Sequence, residues 1–554
     1  MKKVSRRNFL RAVGASAAIT TLAGLLGGCG ASGSTGSAGS TASSAAGAGA
    51  MASADVVNIG STGSLSTLNP LMVDATWINM YAAMLQFNPL VVMNEDGLFD
   101  AMLADRIETE DNLTYTIHID DAATWSDGQP VTADDLAFTL WALSSSKVAN
   151  LTMYLGAVVG TDDETGFRPD GADTLEGVQV LDEKTLTIQF KYEMNVNVFK
   201  TGYAQYIYPV PRHVLESVDE GELSTSEWFS APTVVSGPYI CTEKDNDHYV
   251  SYKANENYWR GAPKIPSLNI KIVEGAQLLS GLKSGEIDVV PPLLGTINQD
   301  DYDTVLALDN VNAAYGNRYA VEALFINCNR IPEKEIRQAL LCGLDRGTII
   351  NGLLGGEADV CDGFAVPAGP YDRGLEATAF DAGKAADLVA AATANGWDPS
   401  TTYELYMNSG DTLLTQAAAI AQQYWAAAGI NVNLNTVDLS TLMTMCVEGS
   451  GDLYGVQYTY PPVDPSWDIQ WVLPYWCFYT SDVVDENVAK LSFAMDEAEY
   501  GDALYTIDQD VQENVPFINL YVNGPLGAVS KRVKGVTAGM YGCLNNVETW
   551  EIVG

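Results

Sequence analysis

Basic side chains and histidines are scarce in this chain of 554 residues. It carries 29 Lys and Arg against 70 Asp and Glu, which gives a formal net charge of −41, and it has 3 His. Nucleic acids and anionic lipid surfaces both require clustered Lys and Arg, so this composition argues against either as a partner. The acidic surplus predicts a well-solvated exterior instead.

The motifs of several common enzyme chemistries are missing as well. The chain has no GxxxxGK[ST] phosphate loop, no HExxH and no GxSxG. Its histidines, His118, His213 and His248, lie far apart in the sequence, and no Cys/His cluster has zinc spacing. We therefore expect a protein that is not an enzyme, with no catalytic residues, no resident metal and no cofactor.

Cysteine is infrequent, and its spacing indicates no disulfide framework. The chain has 8 Cys and no CxxC pair. Setting Cys29 aside leaves an odd number, which cannot all pair within the chain. We expect mostly buried free thiols, with one disulfide possible.

Long apolar runs are missing except near the N-terminus. The run at 12–26 is shorter than the roughly 20 residues that span a bilayer. Residues 1–28 combine a basic start, this run and small residues, a pattern typical of an export signal. The segment around Arg6 and Arg7 resembles the twin-arginine export motif. The sequence predicts a signal peptide over 1–28.

The end of this signal resembles the bacterial lipoprotein box, because Leu-Gly-Gly precedes Cys29. In that box the thiol is alkylated with diacylglycerol and becomes the new N-terminus. Residues 29–54 are then a flexible linker of Gly, Ala, Ser and Thr, with a reach of about 25–30 Å. We expect an extracytoplasmic protein that is lipid-anchored, through Cys29, to the outer face of the cytoplasmic membrane.

Alternating helix and strand patterns predict an α/β body. Residues 113–119 alternate apolar and polar side chains, which indicates a half-buried strand, and Thr132 then precedes Asp135 in a variant capping arrangement for a helix. Further on, a strand-like stretch at 403–407, an Ala-rich helical stretch at 412–428 and an alternating stretch at 430–436 predict a βαβ crossover with parallel pairing.

Seven short segments, in order, resemble one protein family. They are Trp125-Ser-Asp-Gly-Gln-Pro-Val-Thr-Ala-Asp-Asp135, Gly237-Pro-Tyr239, Asn255-Glu-Asn-Tyr-Trp259, Leu282-Lys-Ser-Gly-Glu-Ile-Asp288, Phe325-Ile-Asn327, Ile336-Arg-Gln-Ala-Leu340 and Asp345-Arg346. Their order is similar to that of the extracytoplasmic solute-binding proteins of ABC importers, family 5, the peptide- and nickel-binding class. The likeness spans roughly residues 55–550, and the first segment is its most distinctive part.

This resemblance implies a two-lobed periplasmic-binding-protein-like fold of type II, with an extra subdomain and with mixed sheets flanked by helices. Lobe I would be discontinuous, over 55–268 and 510–554, and lobe II would span 269–509. The lobes would be joined by hinge strands and would close over a ligand. The implied function is a membrane-tethered, monomeric substrate-binding protein that passes a small solute, peptide-like or other, to an ABC permease.

Two alternatives of different classes stay open at this stage. One is an exported enzyme that acts on carbohydrate or peptide by hydrolysis. The other is a ligand-sensing surface lipoprotein that shares the binding fold but serves no transporter. A neighbouring permease gene would favour uptake, and turnover of a substrate panel would favour the enzyme.

The densest aromatic stretch, at 458–476, is the candidate ligand-binding region. Prolines exclude a regular helix at its start, so a loop is expected to leave a strand there. Pockets of solute-binding proteins are lined by aromatic rings with a few polar groups. The candidate ligand-binding residues are Tyr458, Tyr460, Asp464, Trp467 and Trp471.

The loop departs from the family at two positions. Peptide-binding relatives have Asp-x-x-(Asp/Glu)-Pro here, whose first acid pairs with the ligand's ammonium, whereas this chain has Pro461 at that position and matches only at Asp464. Nickel-binding relatives have His where this chain has Ser466. We expect weak or no binding of simple peptides, and a flat or apolar ligand instead. As alternatives, the aromatic rings pack at the lobe junction, and Asp464 caps the following turn.

Overall fold

The computed structural model describes residues 55–553 except Ala75, Leu151, Thr152, Ala368, Gly410 and Met495. The predicted signal peptide, Cys29 and the linker at 29–54 lie outside the described residues. Within them, no helix is both long and apolar enough to cross a bilayer. The seven cysteines after Cys29 are all free thiols, and six of them are buried.

The strands are, in chain order, β1 (Val56–Ser61), β2 (Val91–Met93), β3 (Phe99–Ala101), β4 (Ala104–Glu108), β5 (Thr114–Ile119), β6 (Val178–Val180), β7 (Thr185–Gln189), β8 (Tyr239–Asp245), β9 (Tyr249–Ala254), β10 (Ser267–Ile272), β11 (Val289–Val290), β12 (Val311–Tyr315), β13 (Ala320–Ile326), β14 (Thr402–Asn408), β15 (Asn431–Val437), β16 (Leu453–Thr459), β17 (Phe517–Asn523), β18 (Leu526–Ser530), β19 (Val533–Lys534) and β20 (Glu551–Ile552).

The α-helices are α1 (Trp77–Met84), α2 (Ala133–Leu143), α3 (Val196–Gly202), α4 (Arg212–Leu215), α5 (Gly275–Ser284), α6 (Tyr302–Leu306), α7 (Lys334–Cys342), α8 (Arg346–Leu353), α9 (Ala382–Ala394), α10 (Thr412–Ala427), α11 (Leu439–Glu448), α12 (Ser466–Trp471), α13 (Asp482–Phe493) and α14 (Glu497–Asn514). A π-helical turn, Val472–Trp476, continues directly from α12.

The chain divides into two compact units. Unit 1 holds the described residues up to Glu95, Phe99–Gly316 and the described residues from Pro525 on; unit 2 holds Asp96–Leu98 and Asn317–Gly524. The chain therefore passes from unit 1 to unit 2 after Gly316 and returns after Gly524. Both positions lie further along the chain than the lobe boundaries that the sequence analysis gives, 268/269 and 509/510. The cause is strand pairing: β10 lies in register beside β1 in unit 1, and β17 pairs with β13 in unit 2.

Unit 1 is built on a mixed seven-stranded sheet in the order β12-β18-β11-β1-β10-β9-β8, with a four-stranded sheet in the order β4-β5-β7-β6. In β5 the alternation predicted from the sequence is confirmed, since Tyr115, Ile117 and Ile119 are fully buried while His118 points the other way. Helix α2 begins with the predicted cap, a reciprocal pair of hydrogen bonds between Thr132 and Asp135.

Unit 2 contains a five-stranded sheet in the order β15-β14-β16-β13-β17. The predicted βαβ crossover is confirmed, because β14 and β15 pair in parallel and α10 connects them. One face of the sheet packs on α10 through a cluster that includes Leu324, Leu405 and Trp425. β15 and β16 lie on opposite sides of β14 and both run parallel to it, so the order of connections switches sides at β14. In α/β sheets, ligands usually bind at the carboxyl ends of the strands next to such a switch point.

Candidate functional site

The five predicted ligand-binding residues lie together in unit 2, where the chain leaves β16 and enters α12. Three prolines in the connecting loop prevent the strand from continuing. Gly97 sits against this loop with a φ of +72°, and a Cβ there would overlap the Pro462 ring. The short segment Asp96–Leu98 therefore packs on the loop only because residue 97 has no side chain.

Tyr458 and Tyr460 are buried, as expected for residues on the inner side of a strand end. The Tyr458 hydroxyl donates a hydrogen bond to Asp468 Oδ1. Its ring meets those of Phe325 and Trp476 edge-on, with centroids 6.1 Å and 5.6 Å away. The ring of Tyr460 packs edge-on against Phe364 at 5.0 Å. These rings form a buried aromatic layer next to the loop that connects β16 to α12.

Asp464 is buried and satisfied from within the protein. Its Oδ1 accepts hydrogen bonds from the Ser466 backbone N–H, at 3.1 Å, and from the Tyr500 hydroxyl. The first contact is the turn-capping bond that we weighed as an alternative role. Burial raises the pKa of Asp464 above its ordinary value, against the lowering effect of these two donors.

Two further buried carboxylates lie under the same region. Burial raises the pKa of Asp468 to about 7, opposed by the Tyr458 hydrogen bond and assisted by the negative charge of Asp464. Burial also raises the pKa of Asp508 to about 7, although its two oxygens accept from the Phe364 and Ala365 N–H groups at 2.7 Å and 3.1 Å. The carboxyl groups of Asp468 and Asp508 are thus only partly ionised near neutral pH.

Trp467 and Trp471 differ from the other three candidates because both rings are partly exposed. They stack one helical turn apart, with centroids 5.8 Å apart and planes 12° apart. The ring of Tyr475, also partly exposed, follows Trp471 at 4.9 Å. We call these three rings the aromatic ladder. A π-helical turn widens the backbone where the ladder continues, a feature that often marks functional sites.

A second polar group in unit 2 was missed in the sequence analysis. Glu322 sits in the middle of β13, opposite Gln457 of β16 and Tyr521 of β17. It is 1 % exposed, and its Oε1 accepts from Gln457 Nε2 at 2.7 Å. Its Oε2 and the Tyr521 hydroxyl have no hydrogen-bond partner. The signal was present, since this acid interrupts an otherwise apolar strand, Ala-Val-Glu-Ala-Leu-Phe-Ile.

In the described part of the chain, no group of three or more His, Cys, Asp or Glu side chains could hold a metal ion. The region offers partly exposed aromatic rings above a buried acidic layer, an arrangement suited to stacking on a ligand.

Comparison with known proteins gives consistent matches. The model of the bacterial extracellular solute-binding proteins, family 5 (middle), matches residues 99–476. A Brucella ovis protein named for ABC-transporter peptide binding is 27% identical over 397 residues, which are 69% of this chain and 68% of that protein. The oligopeptide-binding protein AppA of Bacillus subtilis is 23% identical over 480 residues, covering 81% of this chain and 82% of its own.

The solved structure of the ABC transporter substrate-binding protein CtaP from Listeria monocytogenes superposes with a TM-score of 0.73 at 22% identity, over 90% of this chain and 99% of that chain. This likeness confirms the fold class expected from the sequence, an α/β solute-binding fold with mixed sheets and flanking helices.

Proposed function

The chain belongs to the bacterial extracellular solute-binding proteins of family 5 and is a substrate-binding protein that delivers a solute to an ABC importer, and we propose that it captures this solute on the aromatic ladder. The family consists of binding proteins rather than enzymes, which is consistent with the expectation that this chain has no catalytic residues. It is also a family of extracytoplasmic proteins.

The exposure pattern of the candidate residues supports this assignment. The ladder rings are stacked on one another and partly exposed, so part of their aromatic surface is available to a flat or apolar molecule. Tyr458, Tyr460 and Asp464 are buried and bonded or packed within unit 2, so we assign them the supporting role. Asp464 could act as a polar contact for a ligand only if the loop between β16 and α12 moved.

The relatives' names point to peptides, and the loop argues against the simplest of them. A buried ammonium group without a counter-charge is costly, and residue 461 is Pro where peptide-binding relatives have an acid. We propose a solute whose main contacts with the protein are stacking contacts. Ser466 in place of His gives no support to a nickel chelate.

We further propose that the protein acts as a monomer, tethered to the membrane by a diacylglycerol on Cys29 after twin-arginine export. The tether would keep the binding units near the permease. This part of the proposal is supported by the order of the two N-terminal motifs.

The test is retention of a co-purified solute. Native mass spectrometry of freshly purified wild type should show a bound small molecule, and occupancy should fall strongly in the Trp467→Ala, Trp471→Ala double variant. Phe380→Ala is a matched control, because Phe380 lies in the same unit and is 43% exposed. Among the ring contacts described, its ring has one, an edge-on contact with Tyr424 at 5.3 Å. Equal occupancy in the double variant and the wild type would contradict the proposal.

A further inference from the structure

The cluster of Glu322, Gln457 and Tyr521 lies on the face of the unit 2 sheet opposite to the aromatic ladder. Tyr521 and Leu324 belong to the core that packs on α10, and Gln457 and Tyr458 point to opposite sides because they are neighbours in β16. Tyr458 carries the contact with α12. The cluster is therefore separate from the surface proposed above for solute capture.

Two polar atoms in this cluster lack a hydrogen bond although both side chains are at most 1 % exposed. They are Glu322 Oε2 and the Tyr521 hydroxyl, which sit on adjacent strands in directly opposed positions. Paired side chains on one sheet face have Cβ atoms about 5 Å apart. Burying such groups without partners costs free energy, typically about 1–3 kcal/mol for each. The cost is removed if a bound group donates to both.

Among the described residues, the charges found to act on the cluster are negative. Asp411, the N-cap of α10, acts on both Glu322 and Tyr521, and Glu322 acts on Tyr521. The side chain that β16 contributes to the cluster is Gln457, which is neutral. Burial and the charge of Asp411 raise the pKa of Glu322 well above its ordinary value. A cation in the cluster would offset both effects.

A single side chain, that of Gln457, lies between the buried part of the cluster and the protein surface. Gln457 is exposed, and its amide covers Glu322 through the 2.7 Å hydrogen bond. Rotation of this side chain would open the cluster and would turn its own oxygen toward an entering group. The acceptors would then be Glu322 Oε2, the Tyr521 oxygen and Gln457 Oε1.

We propose that this cluster is a binding pocket for a primary ammonium group, R–NH3⁺, held by three N–H donors and the charge of Glu322. Three acceptors match the three donors of an ammonium. A divalent ion is disfavoured because it requires more ligands, and within the described residues no group of acids or histidines could hold one.

Binding requires Glu322 to be ionised, so the ammonium displaces the proton of the carboxyl group. One proton is released for each ammonium bound, and below the pKa of the empty pocket the affinity should rise about tenfold for each pH unit.

Methylammonium chloride, compared with sodium chloride at equal ionic strength, is the probe. Thermal unfolding of the full exported chain should show a saturable stabilisation by methylammonium alone. Glu322→Gln, which keeps the shape and the Gln457 contact, should weaken binding about tenfold or more and remove its pH dependence. Tyr521→Phe should weaken it to a lesser degree. Glu404→Gln is the matched control, a carboxylate of β14 held by Asn433 and Asn435 at 2.8 Å and 2.7 Å.

Absence of a saturable effect in the wild type would overturn the proposal. That is the result expected if the cluster holds only water. Equal affinity in the wild type and Glu322→Gln would do so too, as would an equal loss in Glu404→Gln. Should Glu322→Gln fail to fold, unchanged affinity in Tyr521→Phe would count against the pocket. Solute occupancy on the ladder is measured separately, so the two proposals fail independently.

Discussion

The indole rings of Trp467 and Trp471 lie nearly parallel, with planes 12° apart and centroids 5.8 Å apart, on the partly exposed side of α12. In the same segment, Asp464 and Asp468 are buried and accept hydrogen bonds from Tyr500 and Tyr458. The candidate site therefore has a partly exposed layer, which is the proposed ligand surface, and a buried layer, to which we assign the supporting role.

Mutations in the two layers should have different effects on stability. Tyr500→Phe removes a donor from a buried carboxylate, so the free energy of unfolding should fall by about 1–3 kcal/mol. Trp467→Phe keeps an aromatic ring and most of its buried area, so it should lose at most part of the stacking contribution, which is worth about 0.5–1.5 kcal/mol. Urea denaturation of both variants checks the order. A larger loss for Trp467→Phe would mean that the ladder is structural.

The supporting layer should make stability depend on pH. The pKa of Asp468 is about 7 in the folded protein and 3.8 ordinarily, so between about pH 4 and 7 the folded state keeps a proton that the unfolded state has lost. This contribution to stability is fully present below about pH 4 and is lost as the pH rises through 7.

Asp468→Asn should accordingly flatten the fall in unfolding free energy between pH 5 and pH 8, by an amount on the order of 2 kcal/mol. Asp508 has the same direction of shift and remains in the variant, so part of the slope should persist. Asp387→Asn, at an exposed position of α9, is the control and should leave the slope unchanged. An unaltered slope in Asp468→Asn would show that this carboxyl stays ionised in the folded protein.

Simple peptides should bind weakly or not at all, because Pro461 stands where peptide-binding relatives have an ammonium-pairing acid. Calorimetric titration with unmodified di- and tripeptides checks this. Micromolar affinity for a dipeptide that is kept both in Trp467→Ala and in Glu322→Gln, and so uses neither the ladder nor the proposed ammonium pocket, would contradict the roles given to the loop and the ladder.

Membrane attachment should depend on one thiol. Cys29→Ala should move the protein from the membrane fraction to the soluble fraction while its thermal unfolding stays the same, because the composition of residues 29–54 predicts a flexible linker. Replacing Arg6 and Arg7 with Lys should block export. Membrane retention of Cys29→Ala after a high-salt wash would contradict lipid anchoring, and normal export of the Lys variant would favour the general secretory route.

Local patterns in the sequence predicted local structure well. The alternation around Tyr115, the cap at Thr132 and the βαβ unit from β14 to β15 all follow from periodicity and short-range hydrogen bonding. Unit boundaries could not be derived in this way, because they depend on which distant strands pair, as β10 does with β1 across more than 200 positions.

Within the candidate site, the sequence located the aromatic stretch but not its two layers. Exposure separates Trp467 from Tyr460, and exposure depends on partners such as Phe364 and Tyr500, which lie far away in the sequence. Glu322 was missed for a different reason. Its importance lies in an unpartnered oxygen, which only the positions of the neighbouring strands can reveal.

Gly97 offers a test of how the short segment Asp96–Leu98 contributes to the loop. Its φ of +72° is strained for any L-residue, and a Cβ would also overlap Pro462 in the loop that precedes the ladder. Gly374 in the same unit has a φ of +70° but no atom within 4 Å of an added Cβ, so Gly374→Ala measures the backbone strain alone.

We expect Gly374→Ala to destabilise the protein by about 1 kcal/mol and Gly97→Ala to cost about 1–3 kcal/mol more, the usual penalty of an overpacked site. The additional cost arises only if the loop resists displacement, so the fluorescence of the ladder tryptophans should also change in Gly97→Ala and not in Gly374→Ala. Equal unfolding free energies and unchanged spectra in both variants would mean that the loop moves freely away from residue 97. In that case Pro462 would not fix the position of the ladder.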